Sequence, residues 1–321
     1  MSESVTTTGS GEHLTSQGEN LPRPLRGIIP PMVTPLSGRD ALDHAGLERL
    51  IEHMIDGGIH GLFILGTTGE GPSLSYRLRC ELIERTCAQV AGRIPVLVAV
   101  TDTAFVESVN LAGHAADSGA TAAVFSAPYY FPAGQPELLE YVIHLVEQMP
   151  LPVFLYNMPS LTKTTFGLEM LAEAIQIPQI VGLKDSSGDL TYFRAAIAIA
   201  QQRPDFSILI GPEEHLSTAM GYGGHGGVAG GANLRPELFV RLYEALAARN
   251  GVQAEMLQAE VDRQAELYRI GQHSSSIIKG LKCALSCLGI CDDYLAEPFH
   301  RFRASERARV QRLVEELVPA I

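Results

Sequence analysis

Ile180-Val181-Gly182-Leu183-Lys184-Asp185-Ser186-Ser187 is an apolar run that stops on a lysine, an acid and two hydroxyls. A short apolar run closed by polar residues suits a strand covered on both faces, with its polar end at an opening. The same grammar recurs on both sides of it. Short β-rich runs stand at 27–35, 61–65, 95–100, 121–126, 152–156, 180–184, 207–210 and 227–230. Amphipathic stretches separate them, for example 41–55, 76–90 and 136–147. Asp40 is placed to cap the first of these stretches, with Asp43 in its first turn. Pro136 and Glu137 suit the start of the third.

Eight strand–helix units in succession make eight parallel strands, because each helical crossover returns the chain to the same end of the sheet. Eight such strands can close on themselves and leave no free edge. The expected class is α/β, a (β/α)8 TIM barrel. An open doubly wound sheet is the alternative. It would carry a glycine-rich turn after its first strand, where this chain reads Ile28-Ile29-Pro30-Pro31-Met32. Helical patterns without strands follow at 257–270, 275–287 and 304–317. The organisation expected is a disordered leader over 1–24, a barrel over 25–250 and a C-terminal helical extension over 251–321, suited to subunit contacts.

The 321 residues are 46% hydrophobic and 19% charged, with a net charge of −12. That balance fits a globular protein, and its sign disfavours nucleic acid and anionic membrane as partners. No apolar run reaches the ~18 residues of a membrane span. Five cysteines, an odd and small number, argue against disulfide stapling and for a reducing, cytoplasmic compartment. Cys283, Cys287 and Cys291 recur every four residues. They read as small apolar residues on one buried helix face rather than as metal ligands, which usually come in closer pairs.

A barrel gathers the residues that follow its strands on one face. After strand two stands Gly66-Thr67-Thr68-Gly69-Glu70-Gly71, either a plain tight turn or a cradle of N–H groups and hydroxyls for a carboxylate. Strand four is followed by Pro128-Tyr129-Tyr130, and strand five ends in Tyr156-Asn157-Met158-Pro159. These tyrosines are packed aromatics or, with a hydroxyl neighbour, proton shuttles. Strand six ends in Lys184, one of four lysines against twenty arginines. The other three, Lys163, Lys279 and Lys282, fall in loop or helix contexts. Burial of the Lys184 stem would disfavour its ammonium form, and a neutral amine attacks a ketone. Pairing with Asp185 is the alternative. Glu213 and Glu214 after strand seven serve either the dipole of the next helix or the hydroxyls of a sugar-like substrate. The glycines of 223–231 around strand eight leave room beside an adduct, or bind phosphate.

The segments Gly-Thr-Thr-Gly-Glu at 66–70, Pro-Tyr-Tyr at 128–130, Tyr-Asn-x-Pro at 156–159 and Gly-Leu-Lys-Asp at 182–185 stand in order at the expected strand ends. Together they resemble the dihydrodipicolinate synthase / N-acetylneuraminate lyase family of class I aldolases, over roughly residues 25–320. The resemblance implies a TIM barrel with C-terminal helices, a tetramer built from tight dimers, and chemistry without metal or organic cofactor. It implies that Lys184 forms the Schiff base with a keto acid such as pyruvate. Tyr156 would relay protons with Thr67 and Tyr130, the latter reaching a neighbouring subunit's site. Thr68 would help to cradle the carboxylate, and Val228 would lie beside the adduct. Family synthases typically carry arginine two residues after the motif's proline, and this chain has Leu161 there. Leucine cannot pair with the carboxylate of an incoming aldehyde acid, and a lost charged partner costs about 1.5–3 kcal/mol. Leu161, with Glu213 and Glu214 as hydroxyl acceptors, resembles the sugar-acid lyases. The expected function is cleavage of a 2-keto-3-deoxy or sialic-acid-like keto acid to pyruvate and an aldehyde, with dehydration through the same adduct also open. The alternatives are dihydrodipicolinate synthase proper, a catalytically silent sugar-acid-binding barrel, and a phosphate-binding isomerase.

Overall fold

The computed structural model describes residues 21–318. Eight parallel strands form one sheet: β1 (Gly27–Ile28), β2 (Leu62–Ile64), β3 (Val96–Ala99), β4 (Ala122–Ser126), β5 (Val153–Asn157), β6 (Ile180–Asp185), β7 (Ser207–Ile210) and β8 (Gly226–Gly227). From β2 to β8 each pairs with the next, β8 pairs with β1, and an isolated parallel bridge from Pro31 to Phe63 closes the ring between β1 and β2. The helices that follow are α1 (His44–Asp56), α2 (Tyr76–Val90), α3 (Phe105–Asp117), α4 (Gln135–Glu147), α5 (Leu168–Ala174), α6 (Leu190–Ala200), α7 (Leu216–Gly221) and α8 (Pro236–Ala247). The eight-fold barrel read from the sequence is the fold. Beyond it lie α9 (Gly251–Gln264), α10 (Ser276–Cys287) and α11 (Ala304–Leu317).

The local chemistry explains the elements and the departures from expectation. The first strand is shorter than 27–35, because Pro30 and Pro31 have no N–H to give a ladder. The main chain closes instead through Met32 N to Phe63 O at 2.8 Å and Phe63 N to Pro30 O at 3.0 Å. Helix α1 begins later than residue 41. Ala41–Leu42 pairs with Leu36–Gly38 in a small hairpin, and Asp43, not Asp40, caps the helix by accepting from Gly46 N at 2.9 Å. Asp40 instead accepts from Ser75 Oγ and Arg77. Helix α2 runs as expected, with the Ser75 hydroxyl capping it and Leu78, Leu82, Ile83, Cys87 and Val90 on its buried face. Strand eight stops at Gly227, and the chain turns into a 3-10 helix at Gly230–Asn233.

Two cores result. One fills the space between strands and helices. The other fills the barrel, with Ile29, Phe63, Leu97, Val124, Phe154, Val181, Leu209 and Val228 pointing inward. Leu21 and Leu25 are buried with this inner set; residues 1–20 of the expected leader lie outside the described residues. The β5–β6 register slips at its start: Val153 faces Ile180, yet Phe154 faces Gly182. The extra residue is a bulge of the kind that re-aims side chains near functional sites. Gly182 is required there, since a Cβ on it would stand 2.3 Å from the Phe154 ring. Past the bulge, Tyr156 and Lys184 are direct neighbours across the two strands.

Candidate active site

Lys184 and Tyr156 come from adjacent strands and meet inside the barrel mouth. The Lys184 Nζ lies 3.7 Å from the centroid of the Tyr156 ring and 5.0 Å from that of Phe63. Lys184 is only 6% exposed. Burial pushes its ammonium pKa below the usual lysine value, and the neighbouring phenol only partly offsets this. Asp185 is no ion-pair partner. Its carboxylate accepts from Asn157 Nδ2 at 2.8 Å and from the Ser187 N–H and hydroxyl at 3.2 and 3.0 Å. Among the described residues no carboxylate lies within 4.0 Å of the Lys184 amine.

The Tyr156 hydroxyl and Thr67 Oγ1 are 3.2 Å apart. Burial raises the phenol's pKa, but the Lys184 charge and hydrogen bonds to its oxygen outweigh this, so the phenol sits below its ordinary value. A tyrosine that ionises more readily, beside a lysine that deprotonates more readily, can pass a proton either way.

The turn bearing Thr67 is built differently from the sequence expectation. Its left-handed residues are not the glycines but Leu65 (φ 60°) and Glu70 (φ 57°). Each such residue costs about 1–2 kcal/mol, so the turn needs external restraint. Gly71 serves close approach instead: a Cβ there would lie 1.9 Å from Leu65 O. Thr34 Oγ1 donates to Gly69 O at 2.6 Å. Glu70 is buried, accepts from Ala296 N at 2.8 Å and pairs with Lys282, both side chains wholly shielded from solvent. Lys282 also donates to Tyr294 O at 2.7 Å. This anchor was not legible in the sequence, where Lys282 looks like one polar residue of an amphipathic helix.

The remaining candidates separate. Thr68 is half-buried beside Thr67, and Val228 lies in the inner core that floors the lysine. Leu161 is 49% exposed on the helical turn Pro159–Thr162. Glu213 is buried, its two oxygens accepting from Tyr268 Oη and Gly231 N, both at 2.8 Å. Burial pushes its carboxyl up to about 7, opposed by those two hydrogen bonds. Glu214 is exposed. Tyr130 projects from the loop after β4 and is 87% exposed, so it adds nothing to the buried pair of its own chain. Its neighbour Tyr129 lines a cavity of ≈ 50 Å³ with Thr67, Arg79, Thr101, Ser126 and Tyr156. Arg79 and Asp102 wall this side as a buried ion pair at 3.1 Å that sequence reading did not single out. Cys283 faces the core of α10, but the helix ends at Cys287, before Cys291. Burial pushes the Cys283 and Cys291 thiols up to about 12, which keeps them protonated.

Fold and mouth together define a β/α-barrel lyase. The dihydrodipicolinate synthetase family model matches residues 24–317, and the chain belongs to that family. It is similar to a probable 2-dehydro-3-deoxy-D-pentonate aldolase of Escherichia coli, 32% identical over 286 residues, which are 88% of this chain and 93% of that one. Among solved structures it resembles a dihydrodipicolinate synthase of Bacteroides thetaiotaomicron, 52% identical with a TM-score of 0.89, covering 92% of this chain and 99% of that one. It also resembles a prophage protein of Escherichia coli K12 solved with pyruvate, of the dihydrodipicolinic acid synthase family. That protein is 27% identical with a TM-score of 0.86, over 91% and 98% of the two chains.

Proposed function

We propose that the chain is a pyruvate-dependent aldolase acting through a Schiff base on Lys184, cleaving a 2-keto-3-deoxy sugar acid to pyruvate and an aldehyde. The observation that carries this is the Lys184 amine, buried against the Tyr156 ring with no carboxylate at ion-pair distance. The neutral amine adds to the C2 ketone, and its proton passes to the new alkoxide. Tyr156 protonates the carbinolamine hydroxyl, water leaves, and an iminium forms. The Tyr156 phenolate then takes the proton of the C4 hydroxyl. The C3–C4 bond breaks, its electrons move into the iminium to give an enamine, and the aldehyde departs. Protonation at C3 and addition of water release pyruvate and restore the amine. The iminium is itself the electron sink, so these steps draw on no metal or organic cofactor.

Thr67 stabilises the ionised phenol, and Thr68 with the turn N–H groups takes the keto-acid carboxylate. Val228 packs beside the adduct. Glu214 and Leu161 meet the sugar end, while the occupied Glu213 shapes the wall through Tyr268 and Gly231. Tyr130 completes the relay of a second subunit in a tight dimer, dimers pair into a tetramer, and the enzyme works in the cytoplasm. The 87% exposure of Tyr130 supports a role outside its own chain.

One observation favours a second reading, condensation of pyruvate with aspartate semialdehyde: the 52% identical structure is named a dihydrodipicolinate synthase. Leu161 opposes it. A panel assay separates the two. Pyruvate release from 2-keto-3-deoxy sugar acids at a kcat/KM above that for the condensation supports the aldolase. The reverse order, or binding without turnover of either, overturns it.

A further inference from the structure

Lys282 is the second buried lysine, and the steps above do not use it. It sits on α10 in the C-terminal extension, 0% exposed, and its partner Glu70 belongs to the turn that carries Thr67 and Thr68. Glu70 is left-handed, as is Leu65 at the other end of the turn. Backbone of this kind persists when its surroundings over-determine it. The restraints on Glu70 come from the extension: Lys282 pairs with one carboxylate oxygen, and Ala296 N donates to the other. Lys282 is in turn fixed by Tyr294 O. A chain of contacts thus runs from α10 and the segment after it, through Glu70, to Thr67 and the Tyr156 hydroxyl.

We infer that Lys282 is a positioning residue. Through Glu70, the C-terminal extension holds Thr67 at the distance at which it serves Tyr156, so the extension belongs to the catalytic apparatus as well as to the packing of the molecule. A charged pair suits this task. Two buried charges that satisfy one another tolerate little displacement, because separating them leaves each uncompensated.

This inference rests on the Schiff-base reading, and the test separates the two. Exchange of the pyruvate methyl protons with deuterated water, followed by NMR, reports adduct formation and proton relay without knowledge of the aldehyde. Wild-type protein that neither exchanges nor is trapped by borohydride at Lys184 removes the reading itself. Given wild-type exchange, Lys282→Met is compared with Thr67→Val and with both together. Misplacement by about 1 Å costs on the order of 10²-fold, so Lys282→Met should slow exchange by about that factor while adduct trapping stays within about 3-fold. Residues acting through one network are non-additive, so the same change in the Thr67→Val background should cost less than about 3-fold. Where Lys282→Met does not fold, Glu70→Gln with Lys282→Met removes both charges together and enters the same cycle. Wild-type exchange in a folded variant, or full additivity with Thr67→Val, overturns the inference.

Discussion

The molecule buries two lysines and treats them in opposite ways. Lys282, in the C-terminal extension, is sealed with a carboxylate and a carbonyl oxygen around its amine. Lys184, at the barrel mouth, is sealed with two aromatic rings, and the acid next to it in sequence is turned away to Asn157 and Ser187. Desolvation lowers the pKa of both. At Lys282 the Glu70 charge opposes that effect through a direct ion pair, whereas at Lys184 the main opposing group is a phenol, with a smaller contribution from the Asp185 charge beyond ion-pair distance. On the proposed mechanism, burial alone does not make a lysine reactive; burial without a directly paired anion does. The bulge in β6 produces this difference, because it brings Lys184 to Tyr156 while Asp185 bonds to Asn157.

The contrast can be broken most severely at the two amines. Lys184→Met should abolish pyruvate-dependent exchange, by at least about 10⁴-fold, yet leave stability near wild type, since no ion pair is lost. Lys282→Met should instead destabilise by about 3–5 kcal/mol, the cost of leaving one buried partner alone. Denaturant melts of the two variants read this directly, and equal destabilisation would erase the distinction. Tyr156→Phe comes next. It keeps the ring against Lys184 but removes the relay oxygen, so exchange should fall by about 10³-fold while slow adduct trapping persists.

Glu213 sharpens the contrast with an acid that lacks a cation. Its carboxyl, at about 7 in the fold against an ordinary value of 4.5, binds its proton more tightly folded than unfolded. Between those values the folded state holds more protons, so stability is full below pH 4.5 and falls as pH rises towards 7. The loss is about 3 kcal/mol. Glu213→Gln should flatten that slope in melts at pH 5 and pH 8, and an unchanged slope would assign it elsewhere. Tyr130→Phe tests the part proposed for this exposed tyrosine in the relay. It should lower exchange by roughly 10²-fold, the low end for proton-transfer groups, with no change in melting. Mixing it with Lys184→Met subunits should restore part of the activity if the tyrosine serves a neighbour. Leu161→Arg is the mildest: one new charged hydrogen bond, about 1.5–3 kcal/mol, should raise kcat/KM for aspartate semialdehyde by about 10-fold or more.

The sequence was most legible where chemistry is local. The apolar run ending at Lys184, the Tyr-Asn-x-Pro segment and the paired threonines mark strand ends whatever surrounds them, and α2 and α11 fall on their periodic stretches. What failed depended on partners far along the chain. Asp40 and Asp43 are equally good caps by composition, and the hairpin Leu36–Leu42 decides between them. Glu213 reads as a free acceptor until Tyr268, 55 positions on, takes one oxygen. Glu70 and Lys282 are 212 positions apart, and no pattern within either segment announces the other. Gly66, Gly69 and Gly71 suggest left-handed turning, yet Leu65 and Glu70 carry it, and contacts from the extension hold Glu70 there.

The most direct test is reduction with borohydride in the presence of pyruvate near pH 7, followed by peptide mapping. One reduced pyruvate adduct is expected, on the peptide carrying Lys184, absent from Lys184→Met and with none on the ion-paired Lys282. An adduct on Lys282, or none on Lys184 while pyruvate chemistry proceeds, would contradict the assignment of Lys184 as the nucleophile.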